Sequence, residues 1–242
     1  MGTKRMLRNT LLLFIALFTL ISCNDYEERL DVLTDVYVVH KKFGNEVKSA
    51  PAYFAYANLD LLSATVALPG NGGNVTLENY QGSLYTMSKE PKDSDFKTTG
   101  PAEGSYNFTI QGANGETLQV ADNLTYESLD IPEFTKIKFS GSPFILELEW
   151  LGITDADGYV IKMFDTAGKL IFNGYSITED VNKYTISGSS NSGYWSRQAV
   201  NGESYLLQLN AFNYDAEANI SNYVYNLNEL SLSETQIEWG VN

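Results

Sequence analysis

The alternation in residues 144–150 constrains this chain more than any other feature. Phe144, Leu146, Leu148 and Trp150 fall on one side of an extended segment, and Ile145, Glu147 and Glu149 on the other. That period of two belongs to a β-strand with one apolar face. It returns in Gly202-Glu203-Ser204-Tyr205-Leu206-Leu207-Gln208-Leu209-Asn210-Ala211, where Tyr205, Leu207, Leu209 and Ala211 share a face. Beyond the N-terminal apolar run no stretch keeps a helical period. Gly and Asn cluster between short apolar runs, and tyrosine and phenylalanine are abundant, so that aromatic residues make up 13% of the chain. Short strands separated by turn signals predict an all-β chain built from sandwiches.

The first residues read differently. Lys4, Arg5 and Arg8 precede an almost wholly apolar run over 11–21, and the small Ser22 follows. These are the three parts of a secretory signal peptide, and the run is shorter than the roughly 20 residues needed to span a hydrocarbon core. Leu20-Ile21-Ser22-Cys23 resembles the lipobox of bacterial lipoproteins. The resemblance implies that 1–22 is removed and that Cys23 carries a diacylglyceryl group; the alternative is an ordinary signal peptide with a chance cysteine. The following Asn24-Asp25-Tyr26-Glu27-Glu28 is acidic. It is similar to the signal that sends some lipoproteins to the exterior of the outer membrane in glycan-foraging Gram-negative bacteria. It fits equally a solvated tether over 23–30. The expectation is a lipid-anchored outer-membrane protein facing outward, with the periplasmic face as the other address. Cys23 is the only cysteine; once lipidated it leaves no thiol for a disulfide, so core packing alone must hold the fold.

Charge narrows the partners. The net charge is −14, and beyond the leader the only arginines are Arg29 and Arg197. No Lys/Arg cluster is dense enough for a phosphate-binding stripe, which argues against nucleic acid. Anionic headgroups would be repelled, leaving acyl chains as the only membrane contact.

Two sandwiches in tandem are expected. In the C-terminal half a strand ends in Trp150, Asp155-Ala156-Asp157-Gly158 makes a turn, and Tyr159, Ile161 and Met163 open the next strand. Thr166-Ala167-Gly168 then closes a hairpin. With Gly202-x-x-Tyr205-x-Leu-x-Leu-x-Ala211 the order resembles a fibronectin type III domain over about 130–230. The resemblance implies core positions for Trp150 and Tyr159, and for Tyr205 a tyrosine corner whose hydroxyl bonds back to the preceding loop. Two segments depart from the pattern: the Gly/Ser-rich 187–200, and the tail 230–239, which runs past the expected last strand. The second domain is therefore placed at 130–242 with a C-terminal extension. In the first half, 35–41, 51–58, 64–68, 75–80, 84–87 and 117–120 read as strands, with a polar loop over 89–100. Gly104-Ser105-Tyr106-Asn107-Phe108 resembles a strand of bacterial immunoglobulin-like modules, which places an immunoglobulin-like sandwich at 31–126. Pro132 fixes the entry into the second.

Catalytic chemistry finds little support. His40, the only histidine, stands beside Lys41 and Lys42 and reads as a solvated surface residue, not as a base held by a carboxylate. With no histidine pair and no free cysteine, the sequence argues against a zinc site. Carboxylates are plentiful, yet no spacing selects a pair for glycoside hydrolysis, and two small sandwiches predict no deep crevice. Asp155-Ala156-Asp157-Gly158 lacks the further ligands of a calcium loop and is sufficiently explained as a turn. Asp165-Thr166-Ala167 resembles a short O-glycosylation acceptor, a weak match at a hairpin. No cofactor is called for. The aromatic residues remain: Tyr194 and Trp195 after a Gly/Ser/Asn run, Trp239 near the C-terminus, and Tyr214, Tyr223 and Tyr225 around the last loop. Exposed rings stack on sugars or anchor protein interfaces, while Trp195 and Trp239 could equally plug the sandwich. The resulting expectation is a non-catalytic surface lipoprotein, not an enzyme, binding a glycan or a partner protein through sandwich loops with Tyr194, Trp195, Trp239 and Tyr214. The alternative is a structural spacer in a surface or adhesin-type assembly.

Overall fold

The computed structural model describes residues 28–141, 144–188, 192–216, 218 and 226–241. The signal peptide, Cys23, most of the acidic tether, Tyr223 and Tyr225 lie outside the described residues. The described chain is all-β, with strands and three short 3-10 turns. In chain order the strands are β1 (Val32–Phe43), β2 (Glu46–Ala57), β3 (Leu61–Ala67), β4 (Asn74–Thr76), β5 (Glu78–Asn79), β6 (Thr86–Lys89), β7 (Gly104–Gly112) and β8 (Thr117–Leu124). They continue as β9 (Phe134–Ser140), β10 (Ile145–Trp150), β11 (Gly158–Phe164), β12 (Leu170–Gly174), β13 (Ile177–Thr178), β14 (Lys183–Ser187), β15 (Gly193–Trp195), β16 (Ser204–Tyr214) and β17 (Leu227–Glu238).

These strands form three sheets. A four-stranded sheet runs β4-β3-β7-β8, and a three-stranded sheet runs β14-β10-β9. The third has ten strands in the order β15-β12-β11-β16-β17-β1-β2-β6-β5, with β13 beside β11. It carries strands from both halves of the chain, because β17 pairs in parallel with β1. The tail expected to overrun the last strand is that strand: β17 pairs with β16 on one side and β1 on the other.

Register explains how two cores form on one broad sheet. Val36 and Val38 on β1 face inward with Tyr53 and Ala55 on β2, and pack with Val66, Phe108 and Ile110 of the four-stranded sheet. Tyr159, Ile161 and Met163 on β11 and Leu207, Leu209 and Ala211 on β16 face inward to meet Leu146, Leu148 and Trp150 of the three-stranded sheet. Through the pairs Ala211↔Ser231 and His40↔Ser231 both sets lie on the same face. The alternation in 144–150 therefore does what its period implies: Leu146, Leu148 and Trp150 are buried, and Trp150 lies 5.3 Å from the Tyr159 ring. The β1–β2 hairpin turns at Gly44, whose φ of 64° suits the first central position of a type II′ turn. Leu30 is already docked in the first core, its N–H donating to Glu116 Oε2 at 2.6 Å, so the tether ends before it.

Between the two cores the inner face is polar. His40 Nδ1 lies 2.7 Å from Ser49 Oγ, and His40 Nε2 lies 2.6 Å from Glu229 Oε2. The residue expected at the surface is 1% exposed and Glu229 is 2% exposed, because the chain between the halves crosses above them. That crossing is tied down by Glu229, which accepts the N–H groups of Leu129 at 2.9 Å and Glu127 at 3.4 Å. Ser231 Oγ donates to the Leu129 carbonyl. Burial works to raise the Glu229 carboxyl, but His40 and these N–H donors outweigh it and hold the group below the usual carboxylate range.

Removing one member of a buried hydrogen-bonded pair leaves the other unsatisfied, at about 3–5 kcal/mol. His40→Ala and Glu229→Ala should each lower the unfolding free energy measured in urea by that order. The double variant should lose clearly less than the sum of the two; strict additivity would refute the coupling.

Candidate functional site

The outer face of the ten-stranded sheet is built from residues that alternate with the core. On β1 these are Asp35, Tyr37, Val39 and Lys41, opposite Phe54, Ala52, Ala50 and Lys48 on β2. On β17 they are Leu230 and Leu232, opposite Phe212 and Asn210 on β16, and Val160 and Lys162 on β11 continue the row. A solvated outer face would be polar throughout. This one carries a third apolar cluster of Val39, Ala50, Ala52, Phe96 and Leu232, with Tyr37, Phe43 and Leu230 packed against it. Phe96 comes from the polar loop after β6, which folds over the face and is held by paired backbone bonds between Lys97 and Ser49 at 2.9 and 3.0 Å.

Beside this cluster lies a cavity of about 430 Å³. Its floor crosses β11, β16, β17, β1, β2 and β6, with Val160, Phe212, Leu230, Tyr37, Phe54 and Ser88 contributing in turn. Tyr80 and Tyr214 add aromatic rings. Two further cavities, of about 240 and 320 Å³, adjoin it through Lys162 and Glu90, which line all three. Together they form a groove whose size and mixed lining match those of small-molecule sites.

Asp35 is the unusual group in it. Its side chain is 8% exposed; Oδ2 accepts the Leu227 N–H at 3.0 Å, and the buried Oδ1 has no partner among the described residues. Burial pushes the Asp35 carboxyl up to about 8, helped by the nearby Asp122 and Asp215, with the Leu227 N–H opposing. At neutral pH it is a protonated acid able to donate as well as accept. Burial likewise raises the Tyr37 phenol, so it stays protonated.

The aromatic candidates separate. Tyr214 lines the groove, against Phe212 at 5.3 Å. Trp239 does not offer a platform: it is 6% exposed, covered by the Phe139 ring at 5.2 Å and the Trp195 ring at 5.8 Å. Trp195 is half-buried, 4.7 Å from the Phe172 ring, with Nε1 donating to the Ser187 carbonyl at 3.2 Å. Tyr194 is 69% exposed on the edge strand β15 and lines none of the three cavities. Tyr205 is buried and its hydroxyl accepts the Val200 N–H at 2.9 Å, while Tyr159 accepts the Ile153 N–H at 2.7 Å. In the first half Tyr106 makes the comparable bond, donating to the Ala102 carbonyl at 2.7 Å.

Asp157 Oδ2 accepts the Tyr214 N–H at 2.8 Å, so this turn anchors the end of β16. Asp165 Oδ1 accepts the N–H groups of Ala167 and Lys169 and shapes the β11–β12 hairpin. Ser49, His40 and Glu229 match the residue types of a nucleophilic relay. Here both imidazole nitrogens are engaged in joining β1 to β2 and β17, and neither Ser49 nor His40 lines any of the cavities described. Among the described residues no group of three His, Cys, Asp or Glu could hold a metal ion, and no helix is long and apolar enough to cross a membrane.

Asp35, Tyr37, Phe54, Lys162, Asn210 and Phe212 were not legible as site residues. The available signal was a strand with large side chains on both faces: Tyr37 and Val39 interleave with Val36 and Val38, a pattern expected where both faces are covered.

No protein family matches the sequence, and no curated protein does. Among solved structures, a tetra-tandem repeat from the extending region of a large adhesion protein is similar over 86% of this chain, at 14% identity and a TM-score of 0.25. Tp47, the 47-kilodalton lipoprotein of Treponema pallidum, is similar over 85%, at 11% identity and a TM-score of 0.33. This chain covers 50% of each of those chains.

Trp239→Ala should act as a core truncation, costing about 3–5 kcal/mol in denaturant unfolding. Asp35 gives a pH signature. The folded state keeps its proton to about 8, whereas the ordinary value is 3.8. The folded state therefore binds the extra proton between these values, and stability should fall as pH rises through that window. Asp35→Asn should remove the decline and be the more stable form at pH 8–9, by several kcal/mol at about 1.36 per pH unit. The difference should close toward pH 4; parallel stability curves from pH 4 to 9 would contradict this.

Proposed function

We propose that this chain is a non-catalytic binding protein, held at the cell surface by acyl chains on Cys23, that takes a saccharide into the outer-face groove. The observation that carries the reading is the aromatic and apolar floor of that groove, with the protonated Asp35 among the few polar groups that line it. Sugar rings offer apolar C–H faces that stack on Tyr214, Phe212 or Phe54, and hydroxyls that hydrogen-bond to polar lining side chains such as Ser88 and Asn210. The binding surface moves accordingly from the sandwich loops to the sheet. A protein segment would need a longer and more open apolar surface than these adjoining cavities present.

A second reading has its own observation. The sheet shared by both cores, and the buried His40–Glu229 bond beneath the crossing chain, make the two halves one stiff body suited to a spacer in a surface assembly. Recovery of a stoichiometric protein partner after detergent extraction, together with no saccharide binding, would favour it.

The groove reading is tested by affinity electrophoresis of the full mature chain on a panel of immobilised glycans. Tyr214→Ala and Phe54→Ala should each weaken retention on the bound glycan about tenfold, the loss of roughly 1.4 kcal/mol, with Tyr194→Ala unchanged. Retention unaffected by both groove substitutions would overturn the reading.

A further inference from the structure

Lys162 is the groove residue whose placement the fold does not require. It stands on the outer face of β11 between Val160 and Phe164, half-buried, and lines each of the three adjoining cavities. Two other lysines near this face are paired: Lys41 lies 2.9 Å from both Asp93 and Glu234, and Lys89 lies 3.2 Å from Glu78. Lys162 has no carboxylate within ion-pair distance among the described residues. In a chain with 30 acidic and 16 basic residues, an unpaired cation on the floor of a half-apolar groove is a poor choice for solubility. Partial burial of an ammonium is costly until a counter-charge arrives.

Resting on the groove as the binding site, we infer that its ligand is an anionic saccharide, one bearing a carboxylate or sulfate on the ring, with the anion on Lys162 and ring hydroxyls toward Asp35. The acidic balance of the chain would otherwise repel such a ligand, but the carboxylates lining the groove are offset: Asp93 and Glu234 are paired with Lys41, and Glu78 with Lys89. Asp35 is neutral at pH 7 because burial keeps its proton on. Glu90 is exposed at the rim, where water screens it, and the exposed Lys92 lines two of the same cavities. Asn210 Nδ2 is engaged with the Val160 carbonyl at 3.1 Å, which fixes that side chain on the floor beside Lys162. The apolar and aromatic side chains hold the ring while Lys162 reads its charge, a division common where an ammonium meets a carboxylate or sulfate in a partly dry site.

The experiment is calorimetric titration of the mature chain at low ionic strength with three probes: an oligogalacturonate, a sulfated galactan oligosaccharide and a neutral galacto-oligosaccharide. One anionic probe should bind at least about tenfold tighter than the neutral one, and the arm that binds tells carboxylate from sulfate. Lys162→Met should weaken the preferred anionic probe about tenfold and so abolish the preference, and Lys162→Arg should keep it. Equal binding of neutral and anionic probes, a preference that survives Lys162→Met, or binding of none of the three would overturn the inference. If the preference is missing while Tyr214→Ala and Phe54→Ala still weaken glycan retention, only the assignment of charge falls. If those substitutions also have no effect, the groove itself is not the site.

Discussion

The parallel pairing of β1 with β17 is the contact on which the rest of the structure depends. It joins Val38–Lys41 to Glu229–Leu232, bringing together the first and last strands and merging two sheets into one of ten strands. Parallel pairs are stable where both faces are covered, and both faces are covered here. Beneath lie the two cores and the crossing chain; above lies the loop carrying Phe96. The buried pair His40–Glu229 stands at this junction, between residues 189 apart in sequence. A slip of one residue between β1 and β17 would send His40 and Glu229 to opposite faces and turn Tyr37 or Leu230 into the polar seam. The polar cluster therefore specifies register, at an energetic cost that apolar residues would not carry.

The groove follows from that merger. Separate sandwiches would each end at an edge strand, and neither outer face would be wide enough to hold a ligand. With β16, β17, β1 and β2 adjacent, side chains from both halves meet on one surface. Asp35 and Tyr37 from the first strand lie beside Leu230 from the last and Phe212 from the last but one. The twist natural to a long sheet makes such a surface concave, and the loop from 90 to 97 walls it on one side. Asp35 is buried there with one oxygen bare, a strain on stability at neutral pH that the core has no use for.

Much of the strand pattern could be read from the chain alone. Period-two alternation identified the faces of β10 and β16, and Asp157-Gly158 and Thr166-Ala167-Gly168 marked the turns on either side of β11. Their inward residues, Leu146, Leu148, Trp150, Tyr205, Leu207 and Leu209, fill the second core. The site was much less legible. Of the aromatic residues singled out, Tyr214 lines the groove, while Trp239 is covered by Phe139 and Trp195. A tryptophan near a chain end carries no local mark of whether a neighbouring strand will cover it. His40 misled for the same reason. Two adjacent lysines suggested solvent, yet only odd-numbered side chains of β1 from Asp35 to Lys41 reach the outer face, and His40 points under the crossing chain.

Local periodicity is encoded within a few residues, so the order of apolar and polar side chains was enough to set the all-β class, the strand positions and which face of each strand seeks a core. Whether two such faces belong to separate sheets or to one is settled by pairing between segments that share no local signal. Only folding brings Val38 to Glu229, Asp35 to Leu227 and Lys162 to the same surface as Tyr37. The groove, its buried acid and its unpaired cation exist because those distant strands hydrogen-bond side by side.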